Sequence, residues 1–162
     1  MPVTEAEVTA LRPDFPGIGV LARETRQGAL LMARWRALLS PYPAVGQPDV
    51  CAVSARVGGI VGGGSRIRRD YQLVMDVGTL HRRLPTVWIT APADAQIRHV
   101  NIWPPKGEAA WCPWLGLRLP HVCWFTYTDA WSDAQQTSRT LGAALEYVKQ
   151  LLNTENHDSP AR

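Results

Sequence analysis

VCAVSARVGGIVGGGSRIRRDYQLVMDV, residues 50–77, is the stretch on which the fold class turns. Val50 to Val57 has the β-branched character that packs well on a pleated surface. Glycines then crowd between Gly58 and Gly64, the composition of a turn, and beyond them Tyr71, Leu73, Met75 and Val77 recur at every second position. A period of two marks a half-buried strand, so the stretch reads as an antiparallel hairpin. GIVGGGS within it superficially resembles a phosphate loop. It lacks the Gly-Lys-Ser/Thr ending and no apolar helix follows, which leaves the hairpin turn as the better reading. LPTVWITAP, Leu84 to Pro92, adds a strand bounded by prolines, and HVCWFTY, His121 to Tyr127, is a further extended segment.

Outside the strands the period changes. Leu31, Met32, Trp35, Leu38 and Leu39 follow helical spacing over about 23–40, ended by Pro41 and Pro43. Leu141, Leu145, Val148 and Leu152 form one stripe, with Ala144 and Leu151 beside it, on a helix ending near Asn153. Residues 1–22, with Pro13, Pro16, Gly17 and Gly19, read as an irregular N-terminal arm, and 96–120 as a proline- and tryptophan-rich irregular stretch. The order predicts an α+β domain over 23–162: an N-terminal helix, a four-stranded antiparallel meander and a C-terminal helix, with the helices on one side of the sheet.

The totals narrow the class. A chain of 162 residues, 46% hydrophobic, suits one core. A formal charge of +3 with scattered Lys and Arg gives little support to nucleic-acid binding. No apolar stretch approaches the roughly 18 residues of a membrane helix, and MPVTEAEV is acidic where a signal peptide is basic. These features predict a cytoplasmic protein without a membrane partner. Three cysteines, an odd number, argue for reduced thiols over a disulfide framework.

A cysteine nucleophile needs a thiolate, some exposure and donors aimed at the developing oxyanion. His99-Val100-Asn101, followed by Cys112 and Cys123, supplies such groups. His99, Cys112, His121 and Cys123 are also permitted zinc ligands, although no Cys-x-x-Cys pair is present and His121-Val122-Cys123 is an awkward spacing. A Cys-His hydrolase using His81, His99 or His121 as base is a further, generic possibility. Cys51, inside a predicted strand, reads as a packed thiol.

Several segments match one family in order. RHVNIWPPKG, Arg98 to Gly107, resembles the His-Pro-Asn segment and following glycine that precede the active cysteine of ubiquitin-conjugating enzymes. YQLVMDVGTLHRRLPTVWITAP, Tyr71 to Pro92, is similar to that family's strand, Tyr-Pro-x-x-Pro-Pro region and Thr-x-Pro strand end. CWFTYTDAW places Trp131 eight positions after Cys123, a spacing the family often shows, and NHDSP, Asn156 to Pro160, resembles its segment beyond the next helix. Val100 stands where the family has proline, and the segment from Asn101 to Cys123 is longer than the family's. The chain also ends without the two C-terminal helices of many eukaryotic members. In these respects it is similar to the bacterial conjugating enzymes of antiviral defence operons.

The resemblance implies a fold of the ubiquitin-conjugating type and a cysteine that carries a ubiquitin-like protein as a thioester. The carrier is Cys123 or Cys112. Cys123 is favoured because one loop insertion explains its register, whereas Cys112 requires both a lengthened glycine-cysteine gap and an insertion before the tryptophan. The resemblance further implies that Asn101 stabilises the oxyanion or buttresses its loop, that His99 holds the segment, and that Asp158 and Ser159 gate the incoming lysine. Arg23, Arg26, Arg34 and Arg36 would lie on the helix face offered to an activating enzyme, or on a merely solvated one. The implied partners are the ubiquitin-like protein, a ThiF-type activating enzyme, a target lysine and a JAMM-type protease from the same operon. No metal or organic cofactor is required. The competing expectation is a non-catalytic module of the same fold that binds a ubiquitin-like protein or activating enzyme.

Overall fold

A computed structural model describes residues 2–23, 49–92, 97–157 and 161. The helix expected over 23–40 therefore lies outside the described residues, with the single exception of Arg23. The glycine-rich hairpin forms as its period requires. Strand β2, Val50–Gly62, turns through Gly63 and Gly64 into β3, Ser65–Asp76, with Gly62 opposite Ser65. Both turn glycines have positive φ, 66° and 83°, the region a two-residue hairpin of this hand demands. The turn is thus tighter than the glycine cluster implied. Gly58 and Gly59 lie in the strand, and a Cβ on Gly59 would stand 2.6 Å from the Leu152 carbonyl oxygen. Gly59 is there for close approach of a helix.

Strand β1, Gly19–Arg23, pairs with β2, and β4, Val87–Ala91, pairs with β3. After β4 come β5, Ile102–Trp103, the small separate ribbon of β6, Trp111–Cys112, and β7, Leu117–Arg118, and then β8, His121–Val122. The main sheet is antiparallel and runs β1-β2-β3-β4-β8-β5. The α+β class and the antiparallel sheet are as the sequence implies; the strand count of four is corrected to six. The two additions are β1, drawn from the supposed irregular arm, and β5, a two-residue strand too short to show any period.

The arm also holds helix α1, Glu5–Ala10. Thr4 caps it, its hydroxyl oxygen accepting from the Glu7 N–H at 3.2 Å, and Thr4 with Glu7 is the Ser/Thr-x-x-Glu spacing of a capping box. That signal lay in the sequence and outweighs the nearby prolines, which fall in the connection to β1. Arg23, read as part of a helical face, instead closes β1 and pairs with Glu5 at 2.7 Å. HVCWFTY is likewise only briefly extended. β8 gives way to a 3-10 turn at Phe125–Tyr127 and then to α2, Thr128–Asp133, so Trp131 sits inside a short helix.

The last helix, α3, spans Leu141–Asn153, with Thr140 as its N-cap. Its stripe of Leu141, Leu145, Val148 and Leu152 packs on the inner face of the sheet, where Val53, Ala55 and Val57 of β2 stand opposite Met75, Leu73 and Tyr71 of β3. Trp131 is buried in the same core. The residues between them point the other way: Val74 and Trp88, paired across β3 and β4, meet Cys112, Leu119 and Trp114 on the outer face. The long segment after Asn101 thus folds back as a cover for the outer face, anchored by Trp88 Nε1 donating to the Ala109 carbonyl at 2.9 Å. Among the described residues no helix is long and apolar enough to cross a membrane.

Candidate functional site

His99 and Asn101 enter the interior between β4 and β5, with relative exposures of 2% and 1%. A buried polar side chain needs partners, and both find them at the C-terminal end of α3. A helix leaves its last carbonyls without intrahelical donors. Asn101 Nδ2 donates to Leu151 O and to Thr154 O, each at 2.9 Å. His99 Nδ1 accepts the Asn101 backbone N–H at 3.2 Å, which leaves the proton on Nε2 to donate to Leu152 O, also at 3.2 Å. Burial pushes the His99 pKa down, opposed by the Leu152 carbonyl and the charge of Glu155. The imidazole is a neutral, committed structural donor.

The β2–β3 turn seals the same corner. Gly64 N–H faces the Glu155 carboxylate at 3.0 Å, and Gly62, at φ +84°, lies so close that a Cβ would stand 2.6 Å from His99 Cα. Arg68 Nη1 also donates to the Asn153 side-chain oxygen. Three sequence-distant segments, the turn, the His99–Asn101 segment and the helix end, are therefore locked together. Sequence reasoning missed Gly62, Leu151 and Thr154 as partners. Only the run of three glycines signalled that something approaches closely there.

Cys123 follows β8 directly. Val122 stands opposite Ile102, and the Cys123 backbone N–H donates to Asn101 O at 2.8 Å, so the structure brings Cys123, Asn101 and His99 into one neighbourhood. Cys123 retains 5% of its surface, whereas Cys112 retains none, being packed in the outer cluster. Cys51, in β2, is buried to the same degree as Cys123, retaining 6%. Trp124, next to Cys123, donates from Nε1 to Pro85 O at 2.6 Å, tying the cysteine's flank to the approach to β4. A groove of about 430 Å³ runs beside the motif, walled by Ile97, His99, Val100, Trp103 and Pro120.

His121 belongs to the outer face, paired with Trp88 and stacked on Trp103 at 6.4 Å between ring centroids. Burial lowers its pKa, against a raising contribution from the Leu119 backbone. Among the described residues no three His, Cys, Asp or Glu side chains group to hold a metal ion. Asp158 and Ser159 lie outside the described residues, as do Arg26, Arg34 and Arg36. Comparison of the chain with protein-family models, curated proteins and solved structures finds no match.

Proposed function

We propose that the chain is a carrier of the ubiquitin-conjugating type, in which Cys123 accepts the C-terminus of a ubiquitin-like protein and passes it to a lysine amine of a target. The observation that carries the reading is the seat of Cys123, whose backbone is bonded to Asn101 at 2.8 Å while Cys112 is sealed in the outer cluster. Chemically, the Cys123 thiolate attacks the thioester carbonyl on a ThiF-type activating enzyme. A new carbon–sulfur bond forms and the enzyme's thiolate leaves. An uncharged lysine amine then attacks the Cys123 thioester, the carbon–nitrogen bond forms, the Cys123 thiolate departs and the amine loses its proton. Both steps pass through a tetrahedral oxyanion.

Asn101 serves this reading as the buttress of the site segment, because both N–H groups of its amide go to carbonyls beyond the middle of α3. His99 does the same work. Asp158 and Ser159 would orient the incoming lysine, and ATP is consumed by the activating partner, so no cofactor is assigned to this chain. The wider setting we propose is a bacterial, cytoplasmic antiphage conjugation system with a JAMM-type protease. A second reading is favoured by the 5% exposure of Cys123. On that reading the chain is a non-catalytic module that docks a ubiquitin-like protein or its activating enzyme, and the thiol is only packed.

A loading assay separates the two. With activating enzyme, ATP and ubiquitin-like protein, wild type and Cys112→Ser should form an adduct that thiol reductant cleaves. Cys123→Ser should lose it or give a reductant-resistant oxyester. Wild type that binds the ubiquitin-like protein yet never forms an adduct belongs to the docking-module reading.

A further inference from the structure

Spread along 162 residues a formal charge of +3 is slight, but the fold does not leave it spread. Residues 55–72, the distal part of the β2–β3 hairpin, hold Arg56, Arg66, Arg68 and Arg69 against Asp70 alone. That surplus equals the formal charge of the whole chain, so the remainder is neutral in sum. β1 reaches only as far as Ser54 of β2, and β4 only as far as Gln72 of β3, so the charged part stands beyond both neighbours as a two-stranded ribbon. Paired residues share a face. Gly59 meets Leu152 of α3, and its partner Arg69 lies on that side; Arg66 and Arg68, an odd number of positions from Arg69, stand on the face turned away from the helix.

Arg56 commits its charge to Asp70 at 2.9 Å. The other arginines do not. Among the described residues no carboxylate lies within ion-pair distance of Arg66, Arg68, Arg69 or Arg98. Arg68 gives one N–H to the Asn153 side chain and crosses Gly58, where a Cβ would stand 3.4 Å from its Nη2. The guanidinium groups of Arg66 and Arg98, both exposed, donate to no acceptor among the described residues. Glu155, the acid of this corner, is engaged by the Gly64 N–H at 3.0 Å.

The hairpin turn carries this positive surface into the groove beside the His99–Asn101 segment. A Cβ on Gly63 would stand 3.5 Å from Arg98 Cβ, so Arg98 lies against the turn. Arg98 also lines the groove of about 430 Å³, together with Trp103. The Trp103 indole is partly exposed and is steadied by stacking on His121, with 17° between the ring planes. Guanidinium groups that follow a phosphate backbone, next to an aromatic ring on which a base stacks, are the components of single-strand recognition.

We propose that this surface binds single-stranded nucleic acid, with phosphates on Arg66, Arg68 and Arg98 and a base against Trp103. The binding makes no use of the Cys123 thiol and is separate from the carrier chemistry.

The test is fluorescence anisotropy of a labelled oligothymidylate titrated with the full chain at several sodium chloride concentrations, with oligouridylate in parallel; the tighter of the two assigns DNA or RNA. Saturable binding is expected, with a slope of log K against log salt of about −2, the value for three phosphate contacts on a single strand. Arg66→Gln, at an exposed position, should keep the melting temperature, weaken binding several-fold and make the slope shallower by about 0.7. Arg66→Gln with Arg68→Gln should weaken it by about tenfold or more. Trp103→Leu should weaken it by about fivefold or more, the scale of one stacked base. Arg12→Gln removes an equal charge outside the ribbon and should change little. Absence of saturable binding, an Arg12→Gln loss equal to that of Arg66→Gln, or binding indifferent to Trp103→Leu overturns the proposal. Poly-glutamate that competes as well as the unlabelled strand also overturns it, in favour of an acidic protein partner, and this wild-type arm decides even where a Trp103 variant fails to fold.

Discussion

The two faces of the sheet are covered by different means. The inner face is packed by α3, one regular helix whose stripe meets paired residues of β2, β3 and β4. The outer face presents Val74 and Trp88 to a cover of irregular chain, in which Cys112 and Leu119 are buried and Trp114 is partly so. A regular helix brings a whole row of side chains to the sheet at once, whereas a loop must place each one separately. The difference teaches where stability and site are joined: His99 and Asn101 bond to the end of the inner helix, so the candidate site inherits the rigidity of the larger core.

The largest expected effect tests that inequality. Leu145→Ala, with no exposed surface in the middle of the inner stripe, should cost about 2–5 kcal/mol in urea denaturation. Leu119→Ala, in the smaller cluster under a loop that can collapse, should fall at or below the lower end of that range. Equal losses would break the comparison.

A smaller effect sharpens it. Asn101→Ala leaves the Leu151 and Thr154 carbonyls without their amide donor and should cost about 1–3 kcal/mol. In hydrogen exchange, the increase should concentrate in the last turn of α3 and spare the outer ribbon. Uniform exchange would detach the motif from the helix end.

The smallest is a pH effect. His99 binds its proton less readily in the folded chain than the ordinary value of 6.5 allows. The unfolded chain therefore takes up more protons as pH falls through that value, so the contribution of His99 is intact above about 6.5 and is lost on acidification. His99→Gln should flatten the dependence of the melting temperature on pH below that point. His121 titrates in the same direction on the outer face, and His121→Gln should remove a separate share. A slope unchanged by His99→Gln would mean the imidazole is not the acid-sensitive tie at the helix end.

What the sequence by itself determined were the elements with enough length to show a period. Leu141 to Leu152 announced α3, and Tyr71 to Val77 announced the hairpin, because amphipathic spacing is a local signal repeated several times. The α+β class followed from their order. Tertiary structure decided the rest. Two-residue strands such as β5 and β8 exist only because neighbours supply their hydrogen bonds, so the six-stranded order could not be read from spacing. The partners of Asn101 are backbone carbonyls of Leu151 and Thr154, and a carbonyl is the same in every residue. No side-chain pattern can announce it, and only the fold shows that this asparagine caps a helix fifty residues away.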